Sequence, residues 1–204
     1  MTDTVQVLSK GASIPVVTKE GKTIAKVYLG MGWKINAQKS TAGQDYDLDF
    51  SMALLKADGK LGDDKHLVYY DENHLQFKDA NGAVVVQHSA DNLTGSTGST
   101  DDEWGTIDLS KVPADITKIR VFVNIYEASQ RNQKFGDVDT AYFKVLDADS
   151  NTEVAKYELE KEFANNTGVM VADFVRVGAV WELKIVGTGV DGSIAEILKA
   201  QSME

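Results

Sequence analysis

Short apolar runs separated by turn residues recur along the whole chain, and this pattern limits the fold more than any other feature. In Ile119–Tyr126, for example, β-branched side chains dominate, as in strands that pack one face against a core. Asn81-Gly82 and Gly178 lie between such runs and are typical of hairpin turns. The predicted strands are Val5–Leu8, Thr23–Leu29, Asp47–Leu55, His66–Tyr70, Ala83–His88, Trp104–Leu109, Lys118–Tyr126, Ala141–Leu146, Glu153–Leu159, Gly168–Arg176 and Val180–Val186.

The C-terminal segment from Gly192 to Gln201 has the pattern of one short helix. Ser193 is a suitable N-cap, and Glu196 stands three residues later, as in a capping box. No internal repeat, proline-rich linker or change of composition indicates a domain boundary. The sequence therefore predicts one mainly β domain over residues 1–204, an antiparallel β-sandwich with one or two short helices.

The charge balance of the chain indicates cations as its natural partners. Lys and Arg number 21 against 31 Asp and Glu, which gives a net charge of −10. Such a surface is unsuited to nucleic acid or to an anionic membrane, because it cannot neutralise phosphates. The absence of cysteine excludes disulfides and thiolate metal sites. No signal-like start and no apolar run of about 18 residues is present, which predicts a cytoplasmic protein without direct membrane insertion.

A long acidic segment, Asp91–Glu103, lies between two predicted strands and is almost devoid of apolar residues. Connections of this length are more often functional or disordered than the usual links of about 4–6 residues. Its carboxylates stand at the two ends, on Asp91 and on the Asp-Asp-Glu run 101–103, so that pairing of the flanking strands would bring them together. Calcium takes 6–8 oxygen ligands and would offset the repulsion between these groups.

A second acidic group, at Asp45, Asp47 and Asp49, alternates with Tyr46, Leu48 and Phe50. Because side chains two residues apart in a strand point to the same side, the three carboxylates would share one face. Such a row repels itself or holds a cation. A solvated loop and a polar strand edge remain the alternative for both acidic segments.

Eight short segments of the chain form a characteristic set when taken together and in order. They are Val27–Trp33, Tyr46–Asp49, Asp91–Gly95, Asp101–Glu103, Ile107–Pro113, Ile125–Ala128, Phe135–Val138 and Gly187–Gly192. This set resembles the TerD family of tellurium-resistance and stress proteins, and the resemblance runs from about Val5 to Leu198.

The resemblance implies a cytoplasmic, calcium-binding β-sandwich without a defined enzymatic activity. It also implies that the protein works with other tellurite-resistance and stress proteins in a membrane-associated complex. By position, the acidic signature of the family falls on Asp47, Asp49, Asp91, Asn92, Asp101, Asp102 and Glu103. We expect calcium to bridge the 47–49 strand and the 91–103 loop, so that the ordered loop presents a surface to partner proteins.

The chain departs from the family pattern at two places. Lys34 stands where relatives usually carry an aspartate, and the glycine-rich loop has Ser96, Thr97, Ser99 and Thr100 where relatives carry more glycine and a further acid. We therefore expect weaker calcium affinity, or one bound ion where relatives hold two. The net negative charge also argues against the tellurite anion as the bound ligand.

Two other function classes remain open. A cyclic nucleotide has been described as a ligand of some relatives, and it would require an arginine for its phosphate, from Arg120, Arg131 or Arg176. An enzyme would require a concave pocket that the sequence does not reveal. The segment Asp147–Glu158 mimics an EF-hand loop but has Thr152 where the turn needs glycine, so a hairpin turn is the preferred interpretation.

Overall fold

Two antiparallel sheets dominate the computed structural model, which describes residues 7–36, 38, 46–95, 101–159 and 162–201. Within these ranges each sheet has six strands. Sheet I has the order β1 (Ser13–Pro15), β12 (Val180–Val190), β11 (Gly168–Val177), β8 (Ile116–Ile125), β3 (Leu48–Lys56) and β4 (Leu67–Val68). Sheet II has the order β10 (Thr152–Glu158), β9 (Val138–Asp147), β2 (Lys26–Ile35), β7 (Glu103–Asp108), β6 (Val84–His88) and β5 (Gln76–Lys78).

Two short α-helices and two 3-10 turns complete the described elements. Helix α1 (Ala128–Arg131) follows β8, and α2 (Ile194–Gln201) follows β12. The 3-10 turns are Asp64–His66, before β4, and Phe135–Asp137, before β9. Among the residues described, no helix is long and apolar enough to cross a bilayer.

The main core lies between the two sheets and is built by alternation along the strands. Phe50 and Met52 of β3 pack inward together with Val123 of β8, and Met31 and Trp33 of β2 meet them from sheet II. All five side chains are at most 1% exposed. Burial of this apolar surface is the dominant favourable contribution to a sandwich of this kind.

The outer face of sheet I carries a second apolar cluster beneath α2. Ile197 of the helix packs with Phe122 and Met170 of the sheet. On the same sheet, Arg120 and Asp173 form a buried ion pair with an Nε–Oδ1 distance of 2.7 Å. Because α2 covers part of this face, the sheet has buried residues on both sides there.

The predicted fold class is confirmed, and most predicted strands are found with ends shifted by a few residues. The strand predicted at Thr23–Leu29 instead runs from Lys26 to Ile35, since Gly30 and Gly32 do not end it. Gly30 pairs with Trp104 and Lys144 within the ladder, and a larger residue would not fit there because the carboxylate of Asp101 occupies the space where a Cβ would point. The sequence pattern gave no sign of this close approach.

Three local predictions were wrong or incomplete. The strand predicted at Val5–Leu8 falls partly outside the described residues, and its described part makes one isolated bridge, from Val7 to Lys156. The strand predicted at His66–Tyr70 begins as a 3-10 turn capped by Asp63, whose carboxylate accepts a hydrogen bond from the Lys65 N–H. That turn leaves β4 with two residues. The short elements β1, β5 and α1 were not predicted.

Candidate metal centre

The acidic loop and the 47–49 strand meet at one end of the sandwich, as the sequence predicts. Strands β6 and β7 pair from Val86–Ile107 to His88–Gly105, so both ends of the intervening loop lie together. Strand β3 pairs with β4 only at Met52 and Ala53, and at Phe50 the same edge of β3 is contacted by side chains of sheet II. This open edge is where the loop and the strand come into contact.

Two side chains of sheet II bind the backbone of β3 at this edge. Glu103 Oε2 accepts a hydrogen bond from the Phe50 N–H at 3.2 Å. His88 Nε2 lies 2.9 Å from the Phe50 carbonyl oxygen, and its Nδ1 lies 2.8 Å from that of Ser89. Through these hydrogen bonds Glu103 and His88 join the two sheets at the base of the loop. Both side chains are almost fully buried, where polar groups need such partners.

Three carboxylates converge above this edge: those of Asp47, Asp49 and Asp91. One oxygen of each lies within 4.8 Å of those of the other two. Calcium binds oxygen at about 2.3–2.6 Å, so two ligands of one ion lie at most about 5 Å apart. Asp47 and Asp49 are 5% and 1% exposed, whereas Asp91 lies at the surface. The spacing therefore fits a single cation reached from solvent on the Asp91 side.

The Asp47 and Asp49 carboxylates share one side of β3, as the two-residue period predicts. Tyr46, Leu48 and Phe50 point instead into the main core. The third aspartate of the predicted row, Asp45, lies outside the described residues.

Burial and mutual repulsion raise the pKa values of these acids. Burial first, and then the charges of Glu103, Asp47 and Asp91, raise the pKa of Asp49 to about 9. Burial and the Asp91 charge raise the pKa of Asp47 to about 6, although Arg131 opposes this shift. Burial also raises the pKa of Glu103 to about 8. Desolvated acids without a cation hold their protons, whereas a bound cation would favour the ionised forms.

One buried oxygen of the cluster has no hydrogen-bond partner in the described part of the structure. This atom is Asp47 Oδ1. A buried carboxylate oxygen without a donor costs free energy, and coordination of a metal ion is one way to satisfy it. Asn124, which was not among the predicted site residues, lies beside the cluster with its Nδ2 3.5 Å from Asp49 Oδ2. Its position follows from the pairing of Asp49 with Asn124 across β3 and β8, a register that the sequence alone does not give.

Asp101, a predicted ligand, is held on the outer face of sheet II. Its carboxylate accepts hydrogen bonds from the Tyr28 hydroxyl at 3.0 Å and the Tyr142 hydroxyl at 2.8 Å. Lys144 Nζ lies 3.0 Å from its Oδ1. The structure does not bring Asp101 into the group of three, and these contacts make it an anchor of the loop.

Asp102 and Asn92, also predicted ligands, shape the two ends of the loop. Asp102 Oδ2 accepts a hydrogen bond from the Trp33 N–H at 2.9 Å. Asn92 Oδ1 accepts hydrogen bonds from the N–H groups of Thr94 and Gly95, and its Nδ2 donates to the Asp102 carbonyl oxygen. These side chains therefore hold the loop ends in place beside the cluster. Residues 96–100, which include the four Ser and Thr substitutions, lie outside the described residues.

Glu103 borders the cluster without being one of its three convergent acids. It is fully buried, and its Oε1 accepts a hydrogen bond from the Asn92 N–H at 3.3 Å. Lys34, at the other departure from the family pattern, forms an exposed ion pair with Asp139 at 2.9 Å.

The EF-hand-like segment and the three arginines named from the sequence have structural roles in the fold. Asp147–Glu158 turns between β9 and β10, which confirms the hairpin interpretation. Arg120 pairs with Asp173, Arg131 with Glu127 at 3.1 Å, and Arg176 donates to backbone carbonyl oxygens. All three arginines considered for a cyclic nucleotide are thus engaged within the chain.

A family model, sequence relatives and a solved structure all connect this chain to the same group of proteins. A TerD domain model matches residues 5–200. The chain is 36% identical over 190 residues to general stress protein 16U of Bacillus subtilis and 37% identical over 190 residues to tellurium resistance protein TerD of an Alcaligenes species, and in both cases 93% of each chain is covered. In fold it is similar to SCO6318 of Streptomyces coelicolor, described as a homologue of telluride resistance protein, with a TM-score of 0.67, 20% identity and coverage of 86% of this chain and 95% of that one. The chain therefore belongs to the TerD family.

Proposed function

We propose that this chain is a calcium-binding module of the tellurium-resistance and stress response, which engages other proteins when the ion is bound. The observation that carries this proposal is the convergence of Asp47, Asp49 and Asp91, two of which are almost fully buried. Three acids placed so closely are unfavourable without a cation. We propose that the three acids serve to bind the ion and not to catalyse a reaction.

Calcium fits this donor set better than other common metals. The three converging atoms are all carboxylate oxygens, the hard ligands that calcium prefers. Zinc would favour nitrogen or sulfur ligands, and both ring nitrogens of the neighbouring His88 already face backbone carbonyl oxygens. Magnesium demands shorter bonds of about 2.0–2.1 Å in a regular octahedron and keeps several waters. We propose that Asn92, Asp102 and Glu103 support the site through the loop and its base, whereas Asp101 only fixes its end of the loop to the outer face of sheet II.

The loop beside the cluster supplies a surface for a partner. Leu93 is 58% exposed, next to Asn92 and two residues from Asp91. A bound ion would fix Asp91 against β3 and so hold Leu93 in one position. We propose cytoplasmic tellurite-resistance and stress proteins of a membrane-associated complex as its partners, because relatives of this chain are named for tellurium resistance and general stress.

Affinity capture with the tagged chain, from cells that express the other stress proteins, tests this function. We expect the same defined partners to be retained in calcium and lost in chelator, because the ion positions the Leu93 surface. The Asp49→Asn variant should lose them in calcium as well. Asp101→Asn, which removes an equal charge from the same region outside the cluster, should retain them. Identical capture in calcium and chelator would contradict the proposal.

A further inference from the structure

A cavity of about 550 Å³ lies on the outer face of sheet I and borders the acidic cluster at Asn124, which lines the cavity and places its Nδ2 3.5 Å from Asp49 Oδ2. It is bounded by the segment around β4, by the end of β8 with α1, and by the first turn of α2. Cavities of about 300–1,000 Å³ are the usual size of small-molecule sites. The residues that line the cavity determine which kind of small molecule it could bind.

Three tyrosine rings form aromatic walls in this cavity. Tyr69 and Tyr70 meet edge to face with centroids 5.2 Å apart and an interplanar angle of 84°. Tyr70 and Tyr126 meet in the same way at 6.3 Å and 89°. Arg131 already places its guanidinium 5.1 Å from the centroid of the Tyr126 ring. Rings at right angles, one of them already in contact with a guanidinium, show that this aromatic wall accommodates a positive charge.

The charged residues that line the cavity are acidic. They are Asp64, Glu127 and Glu196, and among the described lining residues none is lysine or arginine. Arg131 offsets part of this charge through its contact with Glu127 at 3.1 Å, and His74 Nε2 lies 3.1 Å from Asp64 Oδ2, so a ligand ammonium group would share these two acids with side chains of the protein. The potential in the cavity favours a cation and disfavours a phosphate-bearing ligand such as a nucleotide.

Asn124 adds a buried hydrogen-bond acceptor to the same cavity. The residue is 4% exposed and lines the cavity, and its Oδ1 has no hydrogen-bond partner in the described part of the chain. Its Nδ2 is directed to Asp49, so the amide is oriented with the acceptor free. A buried amide oxygen without a donor is costly, and a ligand N–H would satisfy it.

We propose that this cavity binds a polyamine, a linear chain of methylene groups that carries two or more ammonium groups. An ammonium N–H would donate to Asn124 Oδ1, which a quaternary ammonium without N–H cannot do. The methylene groups would pack on Tyr69 and Tyr70, and further ammonium groups would face Glu127 and Asp64. The proposal goes beyond the calcium function and does not require it.

Calorimetric titration of the full chain with spermidine, in calcium-free buffer of low ionic strength, tests this inference. We expect one saturable site, and binding of choline at least about tenfold weaker because choline has no N–H donor. Tyr70→Leu should weaken spermidine binding about tenfold and Tyr70→Phe much less, since the ring is retained. The isosteric Glu127→Gln should weaken it about threefold, and it preserves the shape of the site.

Asp91→Asn separates this cavity from the acidic cluster. If spermidine occupies the cavity, this variant should weaken its binding by less than about twofold, because Asp91 acts on the cavity through its charge and does not line it. Tyr70→Leu and Glu127→Gln should bind calcium normally. Circular dichroism of each variant confirms that it is folded. The inference is overturned if the parent chain shows no saturable spermidine binding, if choline binds equally well, or if Asp91→Asn and not the cavity variants removes binding.

Discussion

Asp49→Asn is expected to stabilise the calcium-free protein while weakening its calcium binding roughly 100-fold, because one charged ligand is lost. The carboxylate is 1% exposed, and the charges of Glu103, Asp47 and Asp91 oppose its ionisation. At pH 8 the folded chain therefore keeps this acid mostly protonated, whereas the unfolded chain ionises it, and this difference disfavours folding. A neutral amide of the same shape removes that cost, which we expect to add about 1–2 kcal/mol to the free energy of unfolding at pH 8. Opposite signs for stability and affinity are characteristic of a residue kept for its ligand and not for the fold.

Asp101→Asn is the matched control for this prediction. It removes one carboxylate from the same loop region, but that carboxylate accepts hydrogen bonds from Tyr28 and Tyr142 and pairs with Lys144. We expect it to lower the free energy of unfolding by about 1–3 kcal/mol and to change calcium affinity by less than about threefold. Urea unfolding in chelator and calcium titration measure both quantities. Destabilisation of the calcium-free chain by Asp49→Asn, or an equal loss of calcium affinity in Asp101→Asn, would contradict these roles.

The stability of the calcium-free protein is expected to fall as the pH rises from about 5 to 8. The folded-state pKa values of Asp49 and Glu103 are raised to about 9 and 8, whereas in the unfolded chain such acids titrate near 3.9 and 4.3. Between these limits the folded state binds more protons than the unfolded state, so the free energy of unfolding decreases with pH. Stability from these groups is complete below the unfolded values and is lost as the pH rises through the folded ones. We expect a loss on the order of 2–4 kcal/mol over this interval.

Saturating calcium should remove most of this pH dependence. The ion holds the carboxylates in their charged form, so calcium affinity increases with pH and its stabilisation by mass action increases as well. Urea unfolding at pH 5.5, 7 and 8.5, with calcium and with chelator, measures the difference. In Asp49→Asn the slope in chelator should be shallower, which separates this cluster from the general effect of a net charge of −10. Equal slopes with and without calcium would contradict the prediction.

The strands could be predicted because their apolar alternation is strong, and part of the site followed from the same pattern. The two-residue period placed Asp47 and Asp49 on one side of β3, and the pairing of β6 with β7 brought Asp91 to them. Both inferences depend on local geometry that the residue types encode. Short elements such as β1, with Pro15, carry too few residues for any period to be recognised.

Which acidic residues of the loop join the cluster, and which only anchor the loop, could not be predicted. Asp101 and Asp102 stand next to Glu103 in an acidic run. The positions of their carboxylates in the folded chain depend on hydrogen-bond donors from β2 and β9. Nothing in the run itself distinguishes an anchor from a ligand. The cavity likewise depends on distant segments, around Tyr70, Asn124 and Glu196, that meet only in the folded chain.

Calcium binding by the chelator-stripped chain is the central claim, and isothermal titration calorimetry tests it most directly. We predict saturable binding of one calcium ion per chain in the micromolar to low-millimolar range, with magnesium at least about tenfold weaker, because the three convergent oxygens suit the larger ion. The absence of any saturable calcium heat over that range, or equal affinity for magnesium, would contradict the account.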